Sequence, residues 1–363
     1  MNVGGTVVKV GIVTIVSNKP NFGNKLQNYA TILLLRELGA NVCTLKSVTT
    51  HNLFELYTRI LLNGLSGCHL SSKQLQWKRQ VVFCKFDNEY LNITDELVKG
   101  KLKTEEFDYF IVGSDQVWNP TWYEEATKEA FLLNFARDEQ KVCMAPSFGI
   151  SEMPEEWKRH FAKYLNTFKY LSVREESGVR IVEELTGKKA EVVIDPTLMI
   201  SAMKWRELEK KMKRRENSKP YILKYFLGAQ DKKTKDYIND IAAKEGLEVY
   251  ELLDEKEEDL YLAGPREFLD LIDHAQLICT DSFHACVFSI LFDKPFLVFE
   301  RDGTGAGMST RISTLLGILG LEKRMPGAVK EENIFDHNYV EAYKKLETER
   351  KKAYLFLKKS LNL

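Results

Sequence analysis

The side chain with the clearest chemical potential is His284, in the stretch T-D-S-F-H-A that runs from residue 280 to 285. It follows a predicted strand and opens a predicted helix, where free backbone N–H groups and the helix dipole favour an anion. A histidine titrates near neutral pH and suits general acid–base catalysis. Ser282 brings further helix N-terminal amides to the same place. The structural alternative is a helix-terminal histidine whose ring bonds a carbonyl group.

Three cationic side chains could bind the anion. Arg174 follows a predicted strand, and its planar fork suits a carboxylate or phosphate, with a surface ion pair to Glu175 as the alternative. Arg311 follows Ser309, a good helix N-cap, although a capped helix with a solvated arginine would give the same pattern. Lys224 lies inside the apolar strand Y-I-L-K-Y-F, where a charge without an anionic partner would be costly. We expect His284 and these cations to surround one small dianion.

A hydroxyl-binding surface is predicted in G-S-D-Q-V-W-N-P, residues 113–120. Asp115 and Gln116 follow a strand and are flanked by Trp118, as in a sugar-binding site. The alternative is an Asx turn that only stabilises the loop, and Asp195-Pro196 is read as such a turn. No G-x-G-x-x-G fingerprint accompanies the glycines, so a dinucleotide site is not indicated.

These residues follow strands of two repeated α/β patterns. Residues 7–48 form a β-α-β unit. Polar residues then follow an apolar strand in each of four further segments, which are 107–120, 141–149, 170–179 and 190–198. Because parallel open sheets bind ligands at the carboxyl ends of their strands, these edges point at one site. The alternation of strands and helices restarts at residue 221. The pattern predicts two Rossmann-like, doubly wound parallel-sheet domains that face a cleft.

Length and composition agree with two domains. The chain has 363 residues, 44% of them apolar and 29% charged, and each half can bury its own core. We place an N-terminal domain at 1–217, a C-terminal domain at 218–337, and the boundary near Ser218, in a charged stretch. Residues 338–363 form a basic amphipathic helix that is expected to pack back onto the N-terminal domain.

Charge and cysteine usage exclude several classes of function. Lys+Arg and Asp+Glu both number 52, so the surface offers nucleic acid no basic stripe. The six cysteines lack C-x-x-C spacing, which indicates neither disulfides nor zinc. No apolar run reaches the ~20 residues of a membrane span, and residues 7–16 do not resemble a signal peptide. The expectation is a cytoplasmic protein whose basic C-terminal helix allows peripheral contact with the inner face of an anionic membrane.

Taken in order, seven motifs resemble those of the polysaccharide pyruvyl transferase family. They are N-K-L-Q-x-Y-A from residue 24, G-S-D-Q-V-W-N-P, S-F-G from 147, S-V-R-E from 172, D-P-T-L from 195, G-P-x-E-F-L from 264 and T-D-S-F-H. The resemblance implies a GT-B-like pair of domains, phosphoenolpyruvate as donor, a sugar or lipid-linked oligosaccharide as acceptor, and a pyruvate ketal as product. It places the reaction in capsular or exopolysaccharide biosynthesis.

The resemblance also suggests roles for the candidate residues. His284 would be the acid, and Asp115 a base or acceptor ligand. The donor would be bound by Arg174, Lys224, Ser282, Ser309 and Arg311. The acceptor would be bound by Asn24, Gln27, Ser114, Gln116 and Trp118. No metal or cofactor is required.

Two other classes of function remain open. The first is a GT-B glycosyltransferase that uses a nucleotide sugar, since the same architecture hosts both chemistries. The second is a non-catalytic carbohydrate-binding protein in which Trp118 and Trp122 stack on sugar and His284 is structural.

Overall fold

The chain folds as an α/β protein with parallel sheets. The computed structural model describes residues 7–64, 72–122, 124–211, 219–301, 307–325, 328–329 and 333–363. The domain boundary predicted near Ser218 lies outside these residues.

The first sheet lies in the N-terminal half and, over the described residues, has the strand order β3-β2-β1-β4-β5. Its strands are β1 (Lys9–Val13), β2 (Asn41–Leu45), β3 (Ile93–Thr94), β4 (Tyr109–Val112) and β5 (Lys141–Cys143). All neighbouring pairs are parallel. The central strands are apolar and buried on both faces, as parallel sheets covered by helices require. Their carboxyl ends therefore meet at one edge.

A short parallel pair extends this edge. It consists of β6 (Ser172–Val173) and β7 (Glu191–Val192). The N–H of Arg174 donates to the carbonyl of Pro146, the residue that also bridges to Asp115. The segments after β4, β5 and β6 are thus joined by backbone contacts.

The second sheet has the order β11-β10-β8-β9 over the described residues and is also parallel. Its strands are β8 (Tyr221–Tyr225), β9 (Glu248–Glu251), β10 (Leu277–Thr280) and β11 (Phe296–Val298). The predicted doubly wound α/β alternation is therefore found in both halves.

Helices cover the sheets. They are α1 (Phe22–Glu37), α2 (Leu53–Gly64), α3 (Ser72–Tyr90), α4 (Glu125–Phe131), α5 (Glu155–Leu165), α6 (Glu176–Thr186), α7 (Pro196–Met199), α8 (Ala202–Leu208), α9 (Lys232–Glu245), α10 (Glu258–Tyr261), α11 (Pro265–His274), α12 (Phe283–Leu291), α13 (Gly307–Leu319) and α14 (Val340–Ser360). Polar side chains cap several of them, as Asn21 does for α1 and Asp231 for α9.

The hydrophobic core is shared between the halves. One cluster joins residues of the first sheet and α1 to residues of the second sheet, α11 and α12. At its centre Phe22 of α1 stacks on Phe268 of α11, with ring centroids 4.4 Å apart. The expectation that each half buries a separate core is therefore incomplete, because helices of both halves bury their apolar faces against each other.

The C-terminal helix α14 contacts both halves. The Arg350 side chain donates to the carbonyls of Leu198 and Ile200 in the N-terminal half. The hydroxyl of Tyr343 donates to the carbonyl of Ile290 in α12. The helix thus packs on the N-terminal half, as the sequence predicts, and on the C-terminal half as well.

Candidate functional site

A cleft of about 860 Å³ lies where the carboxyl ends of strands from both sheets meet. It is lined by segments that follow β1, β2, β4, β8, β10 and β11, together with the start of α1 and Arg311 of α13. Its wall includes Asn24, Asp115, Gln116, Ser282, His284 and Arg311. Six of the twelve predicted site residues therefore line one cavity.

A buried carboxylate, Asp195, organises the floor beneath this cleft. One oxygen, Oδ2, accepts from Ser114 Oγ at 2.5 Å and from Arg174 Nη1 at 2.6 Å. The other, Oδ1, accepts from the N–H and the hydroxyl of Thr197 at 2.9 and 2.6 Å. Burial acts to raise the pKa of Asp195, but His284 and Arg174 outweigh it and hold that pKa well below its usual range. Asp195 is therefore a fixed negative charge, and the turn after β7 has a site role that the sequence interpretation missed.

Arg174 lies beside Asp195, below the cleft wall. Its Nη2 is 3.5 Å from Asp115 Oδ1, and its guanidinium carbon lies 4.3 Å from the centre of the Phe283 ring. Burial disfavours its charge, yet Asp195 and Asp115 raise its pKa above the ordinary value. Its Nε and Nη2 donate no hydrogen bond to the described residues. Two N–H-bearing nitrogens of Arg174 are thus buried without an acceptor among the described residues.

Asp115 lies between the cations and the cleft. Its backbone has a positive φ of 79°, which turns the chain sharply after β4, and its carboxylate accepts from Asn24 Nδ2 and the Gln116 N–H. Burial acts to raise its pKa, but Arg174, His284 and Arg311 together lower it. The N–H of Val117, two residues on, donates to the backbone carbonyl of Asp115 and not to its side chain, so the contact is not the Asx turn considered as the alternative. The ionised carboxylate lines the cleft.

His284 stands in the first turn of α12, as predicted, and lines the cleft. Its Nε2 is 3.7 Å from Asp195 Oδ2 and makes no hydrogen bond to the described residues. Its Nδ1 lies against the backbone of Gly23 in α1, where an added Cβ would come within 2.0 Å. The ring of His284, which belongs to the C-terminal half, is held between a carboxylate and a glycine that both belong to the N-terminal half. Gly23 is therefore a second site residue that sequence reasoning missed.

Arg311 lies in α13 and lines the cleft, with Nη1 3.9 Å from Asp115 Oδ1. Burial and the nearby Arg174 lower its pKa to about 10. Ser282 precedes α12 and lines the cleft too. Helix α13 begins at Gly307, so Ser309 lies inside the first turn and is not the residue before the helix. The Ser309 side chain lies outside the described part of the structure.

Lys224 does not join this group, and the expectation that it would is wrong. Its Nζ lies 2.8 Å from Glu251 Oε2 on the neighbouring strand β9. The two residues are register partners and line a different cavity at the edge of the second sheet. The anion that a buried lysine requires is supplied by the protein.

The residues predicted to bind the acceptor separate into two groups. Asn24 and Gln116 line the cleft, whereas Gln27 and Ser114 are buried behind it. Gln27 donates to Thr14 Oγ1 at 2.7 Å, and Ser114 donates to Asp195. The latter two support the cleft wall from below.

Trp118 is a core residue, and its predicted role as a sugar-stacking platform is wrong. Its side chain is 0% exposed, packs against Phe148 and Phe168, and donates from Nε1 to the carbonyl of Phe131. The aromatic side chain that this loop presents to the cleft is Trp122, which is 52% exposed. Sequence spacing alone could not distinguish the two tryptophans.

A further arginine, Arg301, was not found from the sequence. It lines the cleft and donates from Nε to Asp281 Oδ2 at 2.8 Å. Asp281 also accepts from the N–H groups of Leu227 and Gly228, which fixes the carboxylate. The sequence signal that could have indicated Arg301 was Asp281 in T-D-S-F-H, because a carboxylate at a strand end requires hydrogen-bond donors. The structural role of Glu175 was also missed from the sequence. Its side chain is fully buried and accepts hydrogen bonds from the Ser147 hydroxyl and from the N–H groups of Phe148 and Gly149.

The overall fold has counterparts among solved structures. A UDP-N-acetylglucosamine 2-epimerase matches with a TM-score of 0.50 at 12% identity, over 98% of this chain and 95% of that one. A glycosyltransferase from Rickettsia africae ESF-5 matches with a TM-score of 0.46 at 12% identity, over 98% and 99%. At such identity the likeness to the epimerase shows the fold alone, which agrees with the predicted GT-B-like pairing of two α/β halves.

Comparison of the sequence with protein families gives a more specific assignment than comparison of the fold. The model of the polysaccharide pyruvyl transferase family matches residues 21–303, and the chain belongs to this family. Family membership makes it a transferase of polysaccharide biosynthesis. No curated protein matches the sequence. No helix among the described residues combines the length and apolarity needed to cross a bilayer.

Proposed function

We propose that this protein transfers the pyruvyl group of phosphoenolpyruvate to a pair of sugar hydroxyls, forming a ketal and releasing phosphate. The observation that carries the proposal is the convergence of His284, Arg301 and Arg311 on one cleft, with Arg174 directly below it. The donor carries a carboxylate and a phosphate, and guanidinium forks match both groups.

The arginines differ in how they would meet the donor. Arg301 and Arg311 line the cleft and would contact the anionic groups directly. Arg174 lies deeper, so it orients Asp115 and Asp195 and offers its remaining N–H groups from below. Amides at the start of α12, after Ser282, would stabilise the departing phosphate.

The chemistry requires a proton donor at the methylene carbon, C3. Protonated His284 delivers this proton while one sugar hydroxyl oxygen bonds to the adjacent carbon, C2, and that hydroxyl's proton returns to the imidazole. The second hydroxyl oxygen then bonds to C2 as the bond from C2 to the phosphate oxygen breaks, and its proton leaves with phosphate. Asp195 compensates the imidazolium charge from 3.7 Å.

Asp115 is assigned to the acceptor hydroxyls. Its lowered pKa makes the carboxylate a weak base but a good hydrogen-bond acceptor. Gln116 and Trp122 line the cleft close by and supply polar and apolar contact to a sugar ring.

The direct test is turnover in D₂O with phosphoenolpyruvate and lipid-linked or nucleotide-linked sugars. Phosphate release should accompany a product whose new methyl group carries one deuterium, detected by NMR. His284→Ala should lower turnover at least 10²-fold with little change in stability, because general acid catalysis contributes about that much. His274→Ala, an exposed histidine outside the cleft, is the matched control.

The competing glycosyltransferase hypothesis gives a different result. Thermal stabilisation by nucleoside diphosphates but not by phosphoenolpyruvate, together with no phosphate release across the acceptor panel, would contradict the proposal. Sugar binding without turnover, unchanged in His284→Ala, would instead favour a binding protein.

A further inference from the structure

A second, smaller cavity lies beside the main cleft. It holds about 130 Å³ and is bordered by the segments after β1 and β2 and by helices α1 and α3. Ser17, Asn18 and Pro20 line both cavities, so the two spaces share a wall. None of the chemistry described above uses the smaller cavity.

Two acceptor oxygens of its lining residues accept no hydrogen bond from the part of the chain that the structure describes. They are Asp87 Oδ1 and Gln80 Oε1, and both atoms are buried. The other oxygen of Asp87 pairs with Lys25 Nζ at 2.6 Å, and the Lys25 side chain is 4% exposed. An unpaired buried acceptor is costly, so the cavity is suited to a ligand that donates hydrogen bonds.

The rest of the lining is mixed, with apolar residues such as Leu53, Leu56 and Phe83 beside further polar ones. Lys46, whose Nζ is 3.4 Å from Thr50 Oγ1, offers a donor, and Asn88 and Asn52 offer both donor and acceptor groups. A ligand complementary to this wall both donates and accepts hydrogen bonds. Sugar hydroxyls meet that requirement.

We propose that this side cavity binds the sugar unit next to the one modified in the main cleft. Its volume corresponds to roughly four water molecules, which is room for the hydroxyl-bearing edge of one sugar ring. The shared wall at Ser17, Asn18 and Pro20 would carry the connecting glycosidic link. This subsite rests on the proposed function, since it assumes a saccharide acceptor in the cleft.

The test compares mono-, di- and trisaccharides of hexoses and N-acetylhexosamines on a glycan array, followed by calorimetry on the full chain. Wild type should bind a disaccharide at least fivefold more tightly than the corresponding monosaccharide. Gln80→Met should abolish that increment and leave monosaccharide affinity unchanged, because it removes an acceptor oxygen that accepts no hydrogen bond from the described residues. Gln76→Met, at an exposed position one turn earlier in α3, should behave as wild type.

Two results would overturn the subsite: equal affinity for mono- and disaccharides across the array, or unchanged disaccharide binding in Gln80→Met. Either would indicate that the cavity holds only water. In turnover assays Gln80→Met should raise the KM for an oligosaccharide acceptor at least fivefold with kcat unchanged. If wild type shows no turnover but disaccharide binding still depends on Gln80, the ketal-forming function fails and the subsite remains. Turnover that is insensitive to Gln80→Met refutes the subsite alone.

Discussion

Two buried carboxylate–cation pairs in this protein behave in opposite ways. Asp195 pairs with Arg174, and its pKa is held far below the usual carboxyl range. Asp87 pairs with Lys25 at the same distance of 2.6 Å, yet burial raises its pKa. The difference lies in the other partners. Both oxygens of Asp195 accept hydrogen bonds, from Ser114 and Thr197 among others, whereas Asp87 Oδ1 accepts none from the residues that the structure describes.

The comparison shows that one opposite charge does not by itself stabilise a buried carboxylate. Desolvation disfavours the ion, and a network of hydrogen bonds has to offset it. The Asp195 network is complete and holds His284 and Arg174 in place before any substrate binds. The Asp87 network is incomplete on the side that lines a cavity.

The largest expected difference is in stability. Asp195→Asn removes the nearest ionic partner of the buried Arg174, and we expect a loss on the order of 3–5 kcal/mol in the free energy of unfolding. Asp87→Asn also removes the partner of the buried Lys25, but it should cost less, because burial already disfavours the charge of Asp87. Urea denaturation at pH 7 measures both, and equal losses would refute the distinction.

The second prediction perturbs the Asp195 cluster without changing a charge. Gly23→Ala places a methyl group where His284 Nδ1 lies, so the ring has to move away from Asp195. We expect turnover to fall about 10²-fold, or roughly 2.7 kcal/mol in the activation barrier. Gly317→Ala, a helical glycine with open space around it, is the control and should retain full turnover.

The third prediction is a pair of opposite pH dependences. Because the Asp195 pKa is lowered by folding, its stabilisation is present above about pH 4, the ordinary value, and is lost as the pH falls toward the native pKa. Because the Asp87 pKa is raised, its contribution is greatest below about pH 4 and is lost as the pH rises through the native pKa.

Urea titrations from acid to neutral pH test these signs. The stability difference between wild type and Asp195→Asn should grow with pH, and that between wild type and Asp87→Asn should shrink. Slopes of the same sign would show that the two carboxylates are not distinguished by their partners.

The smallest effect is expected at a third ion pair outside both cavities. Lys224→Met removes a charge paired with Glu251, and turnover should stay within about twofold of wild type, since Lys224 lines neither the cleft nor the side cavity. Steady-state kinetics checks this prediction. A large rise in the KM for the donor would contradict it and would indicate that Lys224 contributes to donor binding.

Much of the fold was accessible from sequence because its signals are local. Helix α11 (Pro265–His274) is an example, since Gly-Pro opens it and its apolar period is regular. The strand ends likewise indicated that His284 and Asp115 lie at one cleft. The failures involve partners distant in sequence: Lys224 finds its anion on β9, and Trp118 turns inward because Phe148 and Phe168 pack against it. Gly23 carries no local signal that His284 will lie on it.

Thermal unfolding should reflect the apolar cluster that the two halves share, which runs from the first sheet through α1, α11 and α12. Two domains connected only by a flexible linker would unfold in separate transitions. Here the unfolding of either half would expose the apolar surface of the other half to water. We therefore expect calorimetry to show a single cooperative heat-absorption peak, with substrate-binding geometry and global folding lost together.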